Sequence, residues 1–286
     1  MGAVGRKSYW EKTIGNDIRL IVVDLDGTTV GETNQIDPIV MQAVQAAQAK
    51  GVKVAIATGR MYRSALRFHQ ELGSTLPLMS YQGALIKDPT TEKIHQNLTV
   101  SSLGAEQLLD YFEHPDLRHK ISVHFYINDE LYVREITDGT KDYVQRSLIQ
   151  PIPVGDLRKT LATEPTKVLA LCDDPTLIDA LLLDLQSRYA PEEFYFTKSV
   201  ATFLEATHPQ VNKGSAVRYV AEELLGLHPA QVMTLGDNFN DLEMLQYAGI
   251  GVAMGDAPDD VKAIAAWVAP SVAENGAAVA IAKFVL

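Results

Sequence analysis

The chain has 286 residues, enough for one large or two medium-sized domains with a substantial core. Hydrophobic residues make up 47% and charged residues 21%, which is typical of a folded globular protein and excludes a disordered or collagen-like chain. The net charge of −11 disfavours nucleic acid as a partner, because an acidic surface repels phosphate backbones.

The cysteine content and the N-terminal residues bear on location. The single cysteine, Cys172, cannot form an internal disulfide, and its apolar neighbours predict a place in the core. No apolar run approaches the roughly 18 residues of a membrane span. The opening MGAVGRKSYWEK lacks the apolar stretch of a signal peptide, and Arg6 stands where a myristoylation signal needs Ser or Thr. We therefore expect a cytoplasmic protein without a membrane anchor.

The first elements alternate between strand and helix. Residues 18–24 (IRLIVVD) predict a strand buried on both faces, and residues 52–58 (VKVAIAT) repeat the pattern. A helix is predicted between Asp37, its N-cap, and Gly51, and a second helix over residues 61–72. Alternation of this kind indicates a parallel sheet.

Between residues 83 and 195 the pattern changes. Residues 85–98 and 121–135 predict antiparallel hairpins, and the second turns at Asn128 and Asp129. Residues 150–153 (QPIP) are expected to form a loop. This α+β pattern indicates a separate domain inserted into the first. It also contains a strand and three helices, predicted over residues 167–172, 102–112, 138–148 and 175–188.

After residue 202 the βα alternation returns, and the first domain is expected to resume. The sequence predicts strands over residues 202–206, 231–235 and 250–253. Helices are predicted over residues 213–225 and 238–247, and near Pro258 and Glu274.

Two carboxylates follow the first strand. Asp24 and Asp26 lie in DLDGT, residues 24–28, at the edge where open α/β sheets bind ligands. An Asp-Gly turn would explain the pair equally well on its own. A calcium loop does not fit, because Thr29 and Gln35 stand where that loop needs Gly and Glu.

Two further motifs are weak when taken alone. Thr58, Gly59 and Arg60 supply a hydroxyl, a small residue and a helix N-terminus that can meet an anion, although a plain Thr N-cap also explains them. Lys213 opens a helix, where its charge opposes the helix dipole. A solvated lysine would tolerate that small cost.

The segment GDNFND, residues 236–241, follows the strand at residues 231–235. It holds Asp237, Asn238, Asn240 and Asp241, an oxygen-rich set suited to Mg²⁺. Helix capping would explain one of these residues but not all four. Together, the four strand ends meet the needs of phosphoryl transfer, since a metal ion and a lysine neutralise phosphate charge.

The sequence resembles the haloacid dehalogenase-like phosphohydrolases, most closely the Cof-type hydrolases with a large α/β cap. The resemblance covers nearly the whole chain, and its motifs occur in the order DLDGT (24–28), TGR (58–60), VNKG (211–214) and GDNFNDLEML (236–245). It implies an α/β fold with a Rossmann-like parallel-sheet core at residues 1–84 and 196–286. An inserted α+β cap at residues 85–195 would select the substrate.

The resemblance also implies a role for each motif residue. Asp24 would attack phosphorus and form a transient aspartyl phosphate, while Asp26 would protonate the leaving oxygen and later activate water. Asp241 would orient Lys213 or a metal-bound water. Mg²⁺ would be held by the Asp24 carboxylate, the Asp26 backbone carbonyl and Asp237. Phosphate would be bound by the Leu25 amide, Thr58, Gly59, Lys213 and Asn240.

Some residues depart from the family pattern. Gln82 precedes Gly83 and Ala84 where relatives often have Asn, and His208 and Asp256 replace other common residues. None is a predicted catalytic group, but Gln82 and His208 are expected to affect what fits beside the phosphate. Arg60, Gln82 and the hairpin at residues 124–126 are candidates for substrate selection.

Three functions are therefore weighed. The favoured one is a Mg²⁺-dependent phosphatase that hydrolyses a small phosphorylated metabolite, such as a sugar phosphate or a similar phosphomonoester. A phosphomutase would use similar aspartates but return the phosphoryl group to the substrate. A non-catalytic regulator would only bind the phosphorylated metabolite.

Other ligand sites are disfavoured. The sequence has no GxxxxGK[ST] motif, and Met254 stands where a dinucleotide motif after Gly249 needs glycine. His114, His119 and His124 recur every five residues, a spacing that puts them on one face of neither a helix nor a strand. We expect solvated histidines there rather than a metal cluster.

Overall fold

The structure, a computed structural model, describes residues 17–286. The N-terminal segment, for which the sequence predicts neither a signal peptide nor a myristoyl anchor, lies outside these residues. Within the described part of the chain, no helix is both long enough and apolar enough to cross a bilayer.

Strands and helices alternate along most of the described chain. The strands are β1 Leu20–Val23, β2 Lys53–Ile56, β3 Leu78–Ser80, β4 Leu85–Lys87, β5 Ile94–Asn97, β6 Ser122–Ile127, β7 Glu130–Val133, β8 Pro151–Pro153, β9 Lys167–Leu171, β10 Tyr195–Thr197, β11 Phe203–Thr207, β12 Val232–Gly236, β13 Ile250–Ala253 and β14 Trp267–Val268. The α-helices are α1 Pro38–Ala49, α2 Tyr62–Glu71, α3 Ser102–Phe112, α4 Asp138–Ser147, α5 Pro175–Arg188, α6 Lys213–Arg218, α7 Leu242–Tyr247, α8 Asp259–Ile264 and α9 Gly276–Phe284.

A parallel sheet in the order β14-β13-β12-β1-β2 forms the core. The central strand β1 pairs with β12 and with β2, and all four of its residues are buried. Ile21 and Val23 belong to a hydrophobic cluster that includes residues of α1 and α9, whereas Leu20 and Val22 belong to one that includes residues of α6 and α7. Helices on both faces explain why β1 is apolar throughout. The predicted α/β fold class is thereby confirmed.

Helix α1 shows how the local sequence sets these elements. The Asp37 side chain accepts a hydrogen bond from the Ile39 amide at 2.8 Å, and Pro38 occupies the first turn. Just beyond the helix, Gly51 adopts a positive φ of 83°, a conformation that favours glycine. The helix therefore begins and ends close to the predicted residues.

A second sheet, in the order β10-β11-β9-β6-β7-β8, forms the cap. Its pairs are antiparallel except for β7 and β8. On one face Phe125, Val168 and Leu204 share a hydrophobic cluster with residues of α3 and α5. The neighbouring positions along the same strands, among them Tyr126 and Lys167, lie on the opposite face, which is turned towards the core.

The sheet pairing bears on the predicted domain boundaries at residues 84/85 and 195/196. β4 and β5 pair with β3, and an isolated parallel bridge between Ala57 and Met79 joins β3 to the edge of the core sheet. β11 pairs with β9 in the cap sheet. The first boundary would therefore separate β4 from β3, and the second would separate β11 from β9. We propose boundaries in the loops after Asn97 and after Thr207.

Several elements differ from the sequence prediction. The segment predicted as a loop at residues 150–153 contains β8, which adds a parallel strand to β7. The helix predicted over residues 213–225 is α-helical only to Arg218 and continues as a π-helical segment, Tyr219–Leu224. The helix predicted from residue 238 opens with a 3-10 turn, Phe239–Asp241.

Two side chains also differ from expectation. His124 is not solvated but fully buried on the cap sheet, where its Nε2 lies 3.0 Å from the Thr140 hydroxyl. Burial, helped by the charge of Lys167, lowers the pKa of His124 to about 3. Cys172 is only partly buried, at the edge of the cap's hydrophobic cluster.

Candidate active site

The predicted site residues converge where β1, β2 and β12 end. Asp24 follows β1, Thr58 lies just beyond β2, and Asp237 directly follows β12. Carboxyl ends of neighbouring parallel strands meet at one edge of a sheet, which explains the convergence. A pocket between this edge and the cap is lined by Asp24, Asp26, Thr58, Gly59, Arg60, Ser64, Tyr143, Arg146, Ser147, Lys167, Ser199, Val200, Phe203, Glu205 and Asn240.

Lys213 lies at the centre of the site and is not exposed to solvent. Its Nζ is 2.8 Å from Asp24 Oδ1 and 2.6 Å from Asp241 Oδ1. Burial disfavours the ammonium, but the charges and hydrogen bonds of Asp24 and Asp241 outweigh it and raise the pKa of Lys213. The lysine is thus a fixed positive charge in a dry site, rather than the solvated side chain that the sequence alone allowed.

Both carboxylate oxygens of Asp241 have partners. Oδ1 accepts from Lys213, and Oδ2 accepts from the amides of Asp237 and Asn238 at 2.8 and 3.1 Å. Asp241 therefore holds Lys213 and the turn after β12 in place, and this leaves Asp24 and Asp237 as the carboxylates with capacity for a metal ion.

The geometry of Asp24 and Asp237 fits a divalent cation. Ligand oxygens of Asp24, Asp237 and Asp241 lie within 4.8 Å of one another. Burial raises the pKa of Asp24 to about 7, and burial together with the charges of Asp241 and Asp24 raises that of Asp237 to about 9. A bound cation would offset the free-energy cost of keeping these buried carboxylates ionised, and carboxylate oxygens are the ligands that Mg²⁺ prefers. The donor set therefore fits the predicted Mg²⁺.

Gly27 makes room for Asp237. Its φ is +80°, and a Cβ at this position would lie 2.3 Å from Asp237 Oδ2. The hydroxyl of Thr28 donates to Asp237 Oδ1 at 3.0 Å. The turn after β1 thus holds the carboxylate that follows β12.

Asp26 points to a different set of partners from Asp24. Arg60 donates from Nε to Oδ2 at 2.7 Å and from Nη2 to Oδ1 at 2.6 Å, and Arg146 of α4 donates to Oδ1 at 3.0 Å. Burial opposes ionisation, but the hydrogen bonds and charges of Arg60 and Arg146 outweigh it and lower the pKa of Asp26. The two aspartates of DLDGT therefore occupy opposite electrostatic environments.

Hydrogen-bond donors surround the same space. The Thr58 hydroxyl oxygen accepts from the Arg60 amide at 3.2 Å, which leaves its proton free for an anion. Within residues 17–286, the amides of Leu25 and Gly59 have no hydrogen-bond acceptor. Asn240 is 4% exposed and lines the pocket. Of the five predicted phosphate-binding residues, Thr58, Gly59 and Asn240 line the pocket, Lys213 contacts Asp24, and Leu25 directly follows Asp24 in the chain.

Sequence analysis missed the cap residues that line this pocket. Lys167 of β9 donates to the carbonyl of Gly59 at 2.8 Å and pairs with Glu205 of β11 at 3.2 Å. Tyr143 and Arg146 come from α4. The sequence held a signal for Lys167 and Glu205, since each is the single charge within an otherwise uncharged strand, and buried charges need partners.

Other candidates lie away from the site. His208 lines a different groove, and its Nδ1 accepts from the Gln210 amide at 3.2 Å. Asp256 is exposed and accepts from the Val272 amide. In the described residues, the histidines at 114, 119 and 124 form no metal-binding group. Of the proposed substrate selectors, Arg60 lines the pocket and Gln82 contacts Asn240, whereas His124 and Tyr126 support Tyr143 from behind.

The fold and the site together define a class of protein. Acidic side chains and a buried lysine lie at the carboxyl edge of a parallel sheet, under a second domain that closes a small pocket. This arrangement defines an α/β protein whose ligand site lies at the carboxyl edge of the sheet, with a buried positive charge that can bind an anionic small molecule.

Comparisons with known proteins identify the family. Residues 21–281 match the haloacid dehalogenase-like hydrolases. The chain is 32% identical over 275 residues to the putative phosphatase YxeH of Bacillus subtilis, covering 94% of this chain and 98% of that one. It is 28% identical over 269 residues to the 5-amino-6-(5-phospho-D-ribitylamino)uracil phosphatase YitU of the same organism, covering 91% and 94%.

Solved structures agree on the fold. A haloacid dehalogenase-like hydrolase from B. subtilis superposes with a TM-score of 0.82 at 22% identity, over 93% of this chain and 99% of that one. The chain belongs to the haloacid dehalogenase-like hydrolases, so the predicted family is confirmed. The predicted enzyme class, a phosphatase of this superfamily, is confirmed with it.

Proposed function

We propose that this protein is a Mg²⁺-dependent phosphatase that hydrolyses a small phosphorylated metabolite through an aspartyl-phosphate intermediate. One observation carries the proposal. The Asp24 carboxylate is held by the buried Lys213 beside Asp237, whereas Asp26, two residues further on, is directed to Arg60 and Arg146. Two identical side chains with different partners can take different chemical roles.

Asp24 is the proposed nucleophile. Lys213, which is itself held by Asp241, fixes the Asp24 carboxylate. The attacking oxygen is therefore already in place, and little reorganisation is needed for attack. The carboxylate forms a bond to phosphorus as the ester oxygen leaves, and water later cleaves the aspartyl phosphate to release phosphate. Mg²⁺ would be held by Asp24, Asp237 and the Asp26 carbonyl, and it supplies positive charge that offsets the charge of the transferring phosphoryl group.

Asp26 is the proposed acid and base. Its lowered pKa keeps the carboxylate ionised, so in the second step it is able to accept a proton from the attacking water. In the first step it must carry a proton to the leaving oxygen, which requires the arginine side chains to turn from Asp26 to the substrate. Arg60 and Arg146 thereby link arrival of the substrate to the protonation of Asp26.

The remaining lining residues limit the kind of substrate. Thr58, Gly59, Leu25, Lys213 and Asn240 would hold the phosphoryl oxygens. The rest of the pocket mixes hydroxyls and arginines with the side chains of Tyr143, Val200 and Phe203. This lining suits a small polar phosphomonoester such as a sugar phosphate. YitU is named for a substrate with a phosphorylated ribityl chain, which is of this kind.

The test is phosphate release from p-nitrophenyl phosphate and from a panel of sugar phosphates, with and without Mg²⁺. We expect multiple turnovers that require the metal, and none for Asp24→Asn. Retained turnover in that variant would refute the nucleophile. Transfer of phosphate between sugar positions without release would point to a phosphomutase instead, and binding without turnover to a regulator.

A further inference from the structure

A network of buried, hydrogen-bonded polar side chains extends from the cap to Asn240. It begins with Glu205 and Lys167 on neighbouring strands of the cap sheet, which are 1% and 3% exposed. Lys167 Nζ lies 3.2 Å from Glu205 Oε2 and donates to the carbonyl of Gly59 at 2.8 Å. The ammonium thus joins the cap to the loop after β2.

Gln82 links this network in the cap to the core. Its Nε2 donates to Glu205 Oε2 at 3.1 Å, and its Oε1 accepts from Asn240 Nδ2 at 3.1 Å. Gln82 is fixed by its backbone, which has φ +61° and donates to the Thr58 carbonyl at 2.9 Å. A Cβ at Gly59 would lie 2.5 Å from Gln82 Nε2, so the glycine allows this close approach.

The chemistry of these groups dictates which way each amide faces. Glu205, as the carboxylate partner of Lys167, offers only acceptors. Gln82 must therefore turn its NH₂ group to Glu205 and its carbonyl to Asn240. Asn240 must in turn direct its NH₂ group at Gln82. One N–H of Asn240 remains unused, and its Oδ1 is buried without a partner among the described residues.

We propose that Glu205 is a positioning residue for phosphate binding. It acts through Gln82 to orient the Asn240 amide, so that the second N–H of Nδ2 is presented to a phosphoryl oxygen. Phosphate affinity then depends on a cap side chain that does not itself touch phosphate. This inference rests on the proposed function, in which Asn240 binds the phosphoryl group.

Two variants of Glu205 separate this role from simple charge pairing. Glu205 Oε2 accepts from both Lys167 and Gln82, and Oε1 accepts from the Ser199 hydroxyl. Glu205→Gln can keep a carbonyl oxygen at the Oε2 position and turn its NH₂ group to Ser199, so it loses the charge but keeps the acceptor for Gln82. Glu205→Met removes both acceptors, so nothing then fixes which way the Gln82 amide faces, and the NH₂ group of Asn240 is no longer held towards phosphate.

The experiment measures binding of inorganic phosphate by calorimetry in Mg²⁺ and its inhibition constant against p-nitrophenyl phosphate. We expect Glu205→Met to weaken phosphate binding roughly tenfold, the effect of one lost hydrogen bond to a charged group, and Glu205→Gln to weaken it less. Gln82→Met removes the link and should have a similar effect. The double variant should be no weaker than the weaker single variant, because Glu205 acts only through Gln82. Additive losses, or unchanged binding in Glu205→Met, would overturn the inference.

Gln48→Met is the matched control, since Gln48 is a part-buried amide that donates to the Leu72 carbonyl in the core. It should leave phosphate binding unchanged. Should Glu205→Met fail to fold, Lys167→Met/Glu205→Met removes both charges together, and the same comparison is made with and without Gln82→Met. Failure of the wild-type protein to release phosphate would refute the proposed function, whereas calorimetry on the variants tests the positioning role without turnover.

Discussion

Arg146 of cap helix α4 donates a 3.0 Å hydrogen bond to Asp26, a carboxylate that Arg60 of the core already binds with two N–H groups. The neighbouring Asn34 side chain donates to the Arg146 carbonyl at 3.0 Å. The cap therefore contacts the proposed acid and base directly, through a side chain that is 56% exposed.

We predict that Arg146→Ala lowers kcat/KM for phosphomonoesters about tenfold, the effect of one charge-assisted hydrogen bond. The free energy of unfolding should change by less than about 1 kcal/mol, because the ion pair is exposed. Arg188→Ala is the matched control. Arg188 pairs with Asp184 in the cap, is 57% exposed and lies away from the pocket, so its removal should leave kcat/KM unchanged. Steady-state kinetics and urea unfolding test both variants, and equal kinetic effects would contradict the role of Arg146.

The raised pKa values of Asp24 and Asp237 predict that stability depends on pH. The pKa of each aspartate is about 3.9 in an unfolded chain, against about 7 and about 9 in the folded protein. Between these values the folded state binds more protons, so the free energy of unfolding falls as pH rises. We expect the metal-free protein to have a lower Tm at pH 8 than at pH 5.

Mg²⁺ should reverse part of this loss. Because the metal competes with protons for the carboxylates, its stabilising effect should be larger at pH 8 than at pH 5. Thermal unfolding with Mg²⁺ and with EDTA at both pH values measures this. Asp237→Asn is the control: it should be more stable than the metal-free wild type at pH 8 and respond little to Mg²⁺. An equal Mg²⁺ effect at both pH values would argue against the site.

The core part of the site was open to prediction because its signals are local. Asp24 and Asp237 each end a short apolar strand, and parallel strands bring such ends together whatever the loops between them. Strand β1 was likewise visible as a run of apolar residues. The hairpin turn was visible from its turn residues Asn128 and Asp129, which both have positive φ.

The cap's contribution was not predictable in the same way. Lys167 reaches Gly59 across 108 residues of sequence, and Arg146 reaches Asp26 across 120. Such contacts depend on how one domain docks on the other, which no periodicity encodes. Strands β8 and β14 were missed because they have only three and two residues, too few for a periodic pattern.

Removal of the buried lysine should destabilise the fold. In Lys213→Met the carboxylates of Asp24 and Asp241 lose their shared counter-ion in a site without solvent. We expect a loss of about 3–5 kcal/mol in the free energy of unfolding at pH 8. The loss should be smaller at pH 5, where Asp24 is protonated. Urea unfolding at the two pH values tests this, and a loss independent of pH would indicate a packing defect instead.

The close approach of Gly27 to Asp237 yields a prediction with a built-in control. Gly27 and Gly51 have nearly the same positive φ, +80° and +83°. A Cβ at Gly27 would lie 2.3 Å from Asp237 Oδ2, whereas one at Gly51 would have nothing within 4 Å. Both alanine variants should therefore lose about 1–2 kcal/mol from backbone strain. Only Gly27→Ala should also displace Asp237, abolish the stabilisation by Mg²⁺ and reduce phosphate release. Urea unfolding, Tm shifts with Mg²⁺ and phosphate release measure the three effects, and an unchanged response to Mg²⁺ in Gly27→Ala would remove Asp237 from the proposed metal site.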